Sequence, residues 1–258
     1  MVTTPPPTAV PPPGTALARW SAGTGTPQRR LVLFPHAGAG GLSGRALQHP
    51  GTEVLVHRRP GRESRMAEPT PVRVDTTVAE ALAVLLPVLD ADEVPTAVLG
   101  HSFGALLAAE FTAAVDRERP GRLSVVALSA KAAPPAPDPE LARVVEDDDA
   151  LLTWLRGLGG TPEELLEDPV MRELVLGPLR ADLRASLAHG DPAPRWVTPL
   201  LLVSAERDRT ASAQVMARWA DATAAPARAL TVPGGHHGLF EHPELLHRAL
   251  WEQDGGVR

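Results

Sequence analysis

Six short apolar runs punctuate the chain: RLVLFP (Arg30–Pro35), TEVLVH (Thr52–His57), TAVLG (Thr96–Gly100), RLSVVALSA (Arg122–Ala130), PLLLVSA (Pro199–Ala205) and RALTVPG (Arg228–Gly234). Most are nearly continuous in apolar residues rather than alternating, the pattern of strands buried on both faces of a parallel sheet. Helical spacing fills several gaps between them. TVAEALAVLLPVLD (Thr77–Asp90) opens with Thr77-x-x-Glu80, a capping-box signature, and contains Pro87, which predicts a kink or an early end. FGALLAAEFTAAVDRE, rich in Ala and Leu, predicts a strong helix; SAQVMARWADA and HPELLHRALWEQ predict two more. Strand–helix alternation of this kind implies an α/β fold, a mostly parallel sheet flanked by helices.

The rhythm breaks between about 132 and 194. That stretch carries helical patterns alone: LLTWLRGL, PEELLEDPVMRELVL and PLRADLRASLAH, with Leu179, Leu183 and Leu187 at i, i+4 and i+8. It predicts a helical lid inserted between two sheet strands; two ordinary crossover helices with a loop are the alternative. Residues 15–258 then form one domain. Residues 1–14, MVTTPPPTAVPPPG, predict a disordered, polyproline-like tail, and they lack the basic and apolar regions of a signal peptide.

Composition narrows the classes. The 258 residues carry a net charge of −6, which argues against a nucleic-acid partner. With no cysteine, thiolate nucleophiles, disulfides and cysteine-type zinc sites are excluded. No apolar run approaches the ~20 residues that cross a bilayer, so a cytoplasmic location without membrane attachment is expected.

Candidate chemistry centres on VLGHSFGALLA, Val98–Ala108. Ser102 stands between Gly100 and Gly104, where a strand ends and a helix begins, the placement a nucleophile elbow requires. A turn serine capping the helix is the bland alternative. An unassisted hydroxyl is a poor nucleophile, so an acid and then a histidine should follow in chain order. Asp208 lies in SAERDRT after the fifth run, and His236 in VPGGHHG after the sixth. Glu206 is the alternative acid and His237 the alternative base. The glycine-rich HAGAGG (His36–Gly41) is neither a dinucleotide fingerprint, since the third glycine position holds Ser43, nor a Walker loop, since it has no Lys. A loop there suits an oxyanion hole, with the backbone N–H groups of Ala37 and Phe103 as donors. His36 is a candidate for binding substrate or for holding that loop.

The segments LFPHAGAGG, RPGRESRMAEP, GHSFGALLAAE, LGGTPEEL and PGGHHGLF, spread from about Leu31 to Leu250, resemble the motifs of type II thioesterases that accompany polyketide synthases and nonribosomal peptide synthetases. The resemblance implies an α/β-hydrolase fold with a helical lid. It also implies a Ser102–His236–Asp208 triad and an editing hydrolysis of acyl groups from the phosphopantetheine arms of carrier proteins, with no cofactor and no metal. Two positions depart from the family pattern: Arg209 stands where Pro commonly follows the Asp, and His237–Gly238 follow the base. Carrier proteins of such systems are typically acidic, so Arg58, Arg59, Arg62 and Arg65 are candidates for carrier docking, against internal pairing with Glu63 and Glu68. Leu151, Trp154, Leu155 and Leu158 are candidates for an acyl-pocket wall in the lid. A monomer is expected. A small-ester hydrolase or acyltransferase with the same triad, or a non-catalytic acyl-carrier-binding scaffold, are the competing readings.

Overall fold

The computed structural model describes residues 16–136, 138–190 and 193–251; the proline-rich residues 1–14 lie outside them. The described residues form a seven-stranded sheet of order β1-β3-β2-β4-β5-β6-β7. Six strands coincide with the six apolar runs: β2 (Arg29–Phe34), β3 (Thr52–His57), β4 (Thr96–His101), β5 (Leu123–Ser129), β6 (Leu200–Ala205) and β7 (Ala227–Val232), all parallel. The seventh, β1 (Leu17–Ser21), is an antiparallel edge strand on β3 that the apolar pattern does not announce. Its sequence, LARWS, carries Arg19 and Ser21 on its solvent side.

Each inner strand sends alternate side chains into two separate cores. Val32, Phe34, Val98, Val126 and Leu128 face one layer, which holds α1 (Val74–Leu89), α2 (Phe103–Glu118) and the lid. Leu31, Leu33, Ala97, Leu99, Val125 and Ala127 face the other, covered by α8 (Pro243–Trp251) through Leu246 and Leu250. Two-sided burial explains why these strands read as apolar runs.

The chain winds outward from β2 to β3 and then crosses back to β4, so the sheet reverses direction between β2 and β4. Ligand sites of open α/β sheets lie outside the carboxyl ends of the strands at such a point. Phe34 pairs with Gly100, which sets the glycine-rich loop after β2 beside the Ser102 turn after β4.

Several local expectations are corrected. Helix α1 begins at Val74, a turn earlier than the capping box predicts, and Pro87 sits in its last turn without ending it. The Thr77 hydroxyl donates to the Arg73 carbonyl at 3.1 Å inside the helix, and Glu80 turns to Arg65 and His57 instead of the helix end. SAQVMARWADA forms only the short α7 (Ala213–Met216) and a 3-10 segment, Ala217–Ala222.

The insertion between β5 and β6 holds four helices among the described residues: α3 (Pro139–Val144), α4 (Asp148–Leu158), α5 (Glu163–Glu167) and α6 (Pro169–Ala188). Aspartates at the starts of three of them accept backbone N–H groups: Asp138 caps α3, Asp147 α4 and Asp168 α6. Helix α6 runs uninterrupted through Pro178, and it buries Leu179 and Leu183 against the body of the domain. No helix among the described residues is long and apolar enough to cross a membrane.

Candidate active site

Ser102 stands at the junction of β4 and α2 with φ 54° and ψ −123°, a conformation an L residue adopts only under strain, at a cost of about 1–3 kcal/mol. Surrounding bonds fix it: the Ser102 N–H donates to the Ser129 carbonyl at 2.8 Å, and the Ala105 N–H donates to Ser102 O at 2.8 Å. Gly104 makes the turn sterically feasible. A Cβ there would lie 1.9 Å from the Phe34 carbonyl oxygen, so only glycine lets α2 start against the end of β2. The elbow therefore lifts the half-buried serine out at the sheet edge, at the positive end of a 16-residue helix.

The two candidate acids and the two candidate histidines have different surroundings. Asp208, buried on the loop after β6, accepts from His236 Nδ1 at 3.0 Å; Glu206 is exposed. The Thr210 hydroxyl and N–H also donate to Asp208 Oδ1, at 2.7 and 2.9 Å. Burial pushes the Asp208 carboxyl up, but His236 and Thr210 outweigh it and bring the group down to about 2. A permanent carboxylate thus fixes the His236 ring with Nδ1 toward the acid. The ring centre of His236 lies 5.2 Å from that of His101, the residue before Ser102. In this structure Ser102 and His236 make no hydrogen bond, and such contacts often tighten only when substrate is bound.

His237 has other partners. It hydrogen-bonds the Gly159 backbone just beyond α4, and its ring centre lies 4.8 Å from that of His36. Burial, then the neighbouring His236, lowers it to about 4. Burial likewise holds His36 and His101 well below the ordinary imidazole range, so these rings are neutral. One nitrogen from each of His36, His101 and His237 lies within 4.8 Å of the others, the grouping among the described residues that could ligate a metal.

Three of the four arginines of the basic run are buried rather than presented for docking. Arg59, Arg62 and Arg65 are each at most 5% exposed. Arg65 pairs with Glu68 and Glu80, while Arg59 and Arg62 pair with Asp182 of the lid helix α6. Arg58 pairs with Glu63 at 2.7 Å. Three guanidiniums in a buried loop must find carboxylates, and here two of those carboxylates, Glu80 and Asp182, come from helices. Asp182 is not singled out by the sequence pattern, although an acid between Leu179 and Leu183 on an apolar stripe is the signal it leaves.

The lid residues separate as well. Leu151 and Leu155 are buried in the main core. Trp154 packs against that core and lines an outward groove with Glu140, Val144 and Asp149. Leu158 is half-buried beside the Gly159 that meets His237.

A doubly wound sheet with a serine elbow after one strand and an Asp–His pair after two later ones defines the α/β-hydrolase fold. Residues 29–251 match the family model described as "Thioesterase domain", and the chain belongs to that family, whose members are hydrolases of thioesters. The chain is 33% identical over 227 residues to a "Probable cadicidin biosynthesis thioesterase" of Streptomyces griseus; the match covers 86% of this chain and 61% of that relative's length. It is 32% identical to "Thioesterase PikA5" of Streptomyces venezuelae, over 81% of this chain and 75% of that protein. Among solved structures, the type II thioesterase BorB from the borrelidin biosynthetic cluster superposes with a TM-score of 0.76 at 27% identity, covering 92% of this chain and 98% of BorB.

Proposed function

We propose that this protein is an editing thioesterase of the type II kind, which hydrolyses acyl groups from the phosphopantetheine arms of carrier proteins in polyketide or nonribosomal peptide assembly. The observation that carries the reading is the 3.0 Å Asp208–His236 pair set at the same sheet edge as the strained Ser102 elbow. The likeness to BorB and to the two biosynthetic thioesterases supports the substrate class.

In this mechanism the Ser102 hydroxyl attacks the acyl carbonyl carbon while His236 takes its proton. Asp208 keeps the imidazole oriented and stabilises the imidazolium that forms. The N–H groups of Ala37 and Phe103 receive the oxyanion, each worth about 3 kcal/mol in the transition state. Collapse of the tetrahedral intermediate breaks the C–S bond, and His236 returns the proton to the departing thiol. Water, activated by the same histidine, then cleaves the Ser102 ester and frees the carboxylic acid.

The test is a panel of acyl groups loaded on a holo carrier protein, with simple p-nitrophenyl esters alongside. The carrier-bound thioesters should turn over faster by kcat/KM, and Ser102→Ala should lose at least ~10³-fold while keeping its fold. A strong preference for simple esters would replace the carrier reading with that of a general esterase. Parental activity in Ser102→Ala would remove the triad mechanism itself.

A further inference from the structure

The loop that would supply the first oxyanion donor is gripped from behind by buried charge. Arg59, 1% exposed, donates from Nη1 to the Pro35 carbonyl at 3.0 Å, and from Nη2 to the carbonyls of His36 at 2.7 Å and Ala39 at 3.3 Å. Three carbonyls on either side of Ala37 therefore point at one guanidinium. Arg62 adds a second grip on Ala39 O at 3.2 Å. The guanidinium carbon of Arg59 also lies 5.3 Å from the centre of the Phe103 ring, so one side chain backs the residues on both sides of the hole.

The counter-charge comes from the lid. Asp182 of α6, 1% exposed, accepts from Arg59 Nη2 at 3.0 Å, from Arg62 Nη1 at 2.8 Å and from Arg62 Nη2 at 3.3 Å. Its Oδ2 also accepts the backbone N–H of Gly38, the residue after Ala37, at 2.8 Å. Gly38 has φ 77°, and a Cβ there would lie 3.3 Å from the Leu179 Cβ of α6, one turn before Asp182. Carbonyls held by Arg59 on one side and an N–H held by Asp182 on the other leave the peptide plane of Ala37 little freedom.

We propose that Asp182, with Arg59 and Arg62, is the positioning unit of the oxyanion loop, aiming the Ala37 N–H at the acyl oxygen on Ser102 and making the lid helix α6 a working part of the catalytic apparatus. The proposal rests on the triad reading above, with Ala37 as donor. It separates the lid into two parts. Helix α6 is bolted to the body by a buried ion cluster, whereas α4 meets the site through the contact of Gly159 with His237.

The experiment compares Asp182→Asn and Arg59→Lys with the parent on a short-chain p-nitrophenyl ester, a substrate whose hydrolysis does not depend on carrier recognition. An acyl trifluoromethyl ketone serves as the second probe, because its serine adduct puts an oxyanion in the hole. Unfolding temperatures are measured by circular dichroism, and assays run well below each transition. Both variants should lose ~10–100-fold in kcat with KM within about threefold, and should lose trifluoromethyl ketone affinity in parallel, since the affected interaction forms only at the oxyanion. Parental kcat and parental inhibitor affinity in a folded variant would overturn the proposal, and so would a loss of kcat with unchanged inhibitor affinity. Arg59→Lys keeps the buried charge pair and decides the question if Asp182→Asn does not fold. Ser102→Ala in the same assay separates the two failures: an active Ser102→Ala sinks the triad, whereas an inactive one beside two fully active variants sinks only the positioning unit.

Discussion

Asp208 and Asp182 are both buried carboxylates serving the same end of the sheet, and they are satisfied in contrasting ways. Asp208 sits on a loop, faces one imidazole, and fills its other oxygen with the hydroxyl and N–H of the nearby Thr210. Asp182 sits on a 20-residue helix and faces two guanidiniums and a distant backbone N–H. The first arrangement leaves a single ring free to exchange a proton on its far side. The second surrounds the carboxylate with permanent positive charge and has no proton to move. A buried acid that shares its charge with an imidazole suits chemistry, whereas one locked between arginines suits architecture.

Substitutions should break this contrast unequally. The largest loss is expected at the proton-transfer pair: His236→Ala should fall ~10³-fold or more in kcat, and Asp208→Asn by ~10²–10⁴-fold, as the imidazole loses its orientation. Both variants should retain a cooperative melt, that of Asp208→Asn shifted down by the loss of its carboxylate's bonds to His236 and Thr210. Next comes the elbow. Gly104→Ala drives a methyl into the Phe34 carbonyl, so it should destabilise the fold by about 2 kcal/mol or more, read from urea unfolding.

Glu80→Gln probes the architectural charges. It leaves Arg65 with Glu68 alone and His57 without its anion, and should cost on the order of 2 kcal/mol with kcat nearly unchanged. His237→Ala should be the mildest for catalysis, within about fivefold of the parent, because Asp208 orients the neighbouring ring instead. A reversal, with His237→Ala inactive and His236→Ala active, would move the base by one residue.

The same carboxylates set the acid limb of stability. Asp208 and Glu80 are both lowered to about 2, in each case because hydrogen-bonded and charged partners outweigh burial, and Asp182 is also lowered. Folded-state values below the unfolded range of about 4 mean that their contribution is complete above that range and disappears as pH falls through it toward 2. Thermal stability should therefore begin to fall below about pH 6.5, where the histidines that burial keeps neutral (His36, His101, His237) protonate in the unfolded chain, and fall more steeply below about 4 as the carboxylates follow. Glu80→Gln should show a shallower fall; equal slopes would assign the acid sensitivity elsewhere.

Much of this layout is legible along the chain because the relevant signals are local. Parallel strands buried on both faces must be continuously apolar, and the catalytic candidates sit within a few residues of their carboxyl ends. The serine turn, the Asp208 loop and the His236 loop each announce themselves in fewer than ten residues. Features that depend on distant partners stay hidden. Strand β1 exists because its backbone pairs with β3, not because LARWS favours a strand. The arginines of RPGRESR resemble a solvated basic patch until Asp182 and Glu80 arrive from elsewhere in the chain. The Gly38–Asp182 bond spans 144 residues, and a carboxylate on an apolar helix stripe is its one trace in the sequence. Helix boundaries are hidden for a related reason: Pro178 lies inside α6, where packing against the domain outweighs the backbone bond it removes.

Hydrolysis through an acyl group on Ser102 leaves a covalent intermediate that mass spectrometry during turnover would detect. Rapidly quenched mixtures of the protein with an acyl-loaded carrier should show a mass increase equal to the acyl group, mapped by peptide sequencing to Ser102 and absent from Ser102→Ala. Steady turnover with no adduct on Ser102, together with parental activity in Ser102→Ala, would rule out a Ser102 acyl-enzyme.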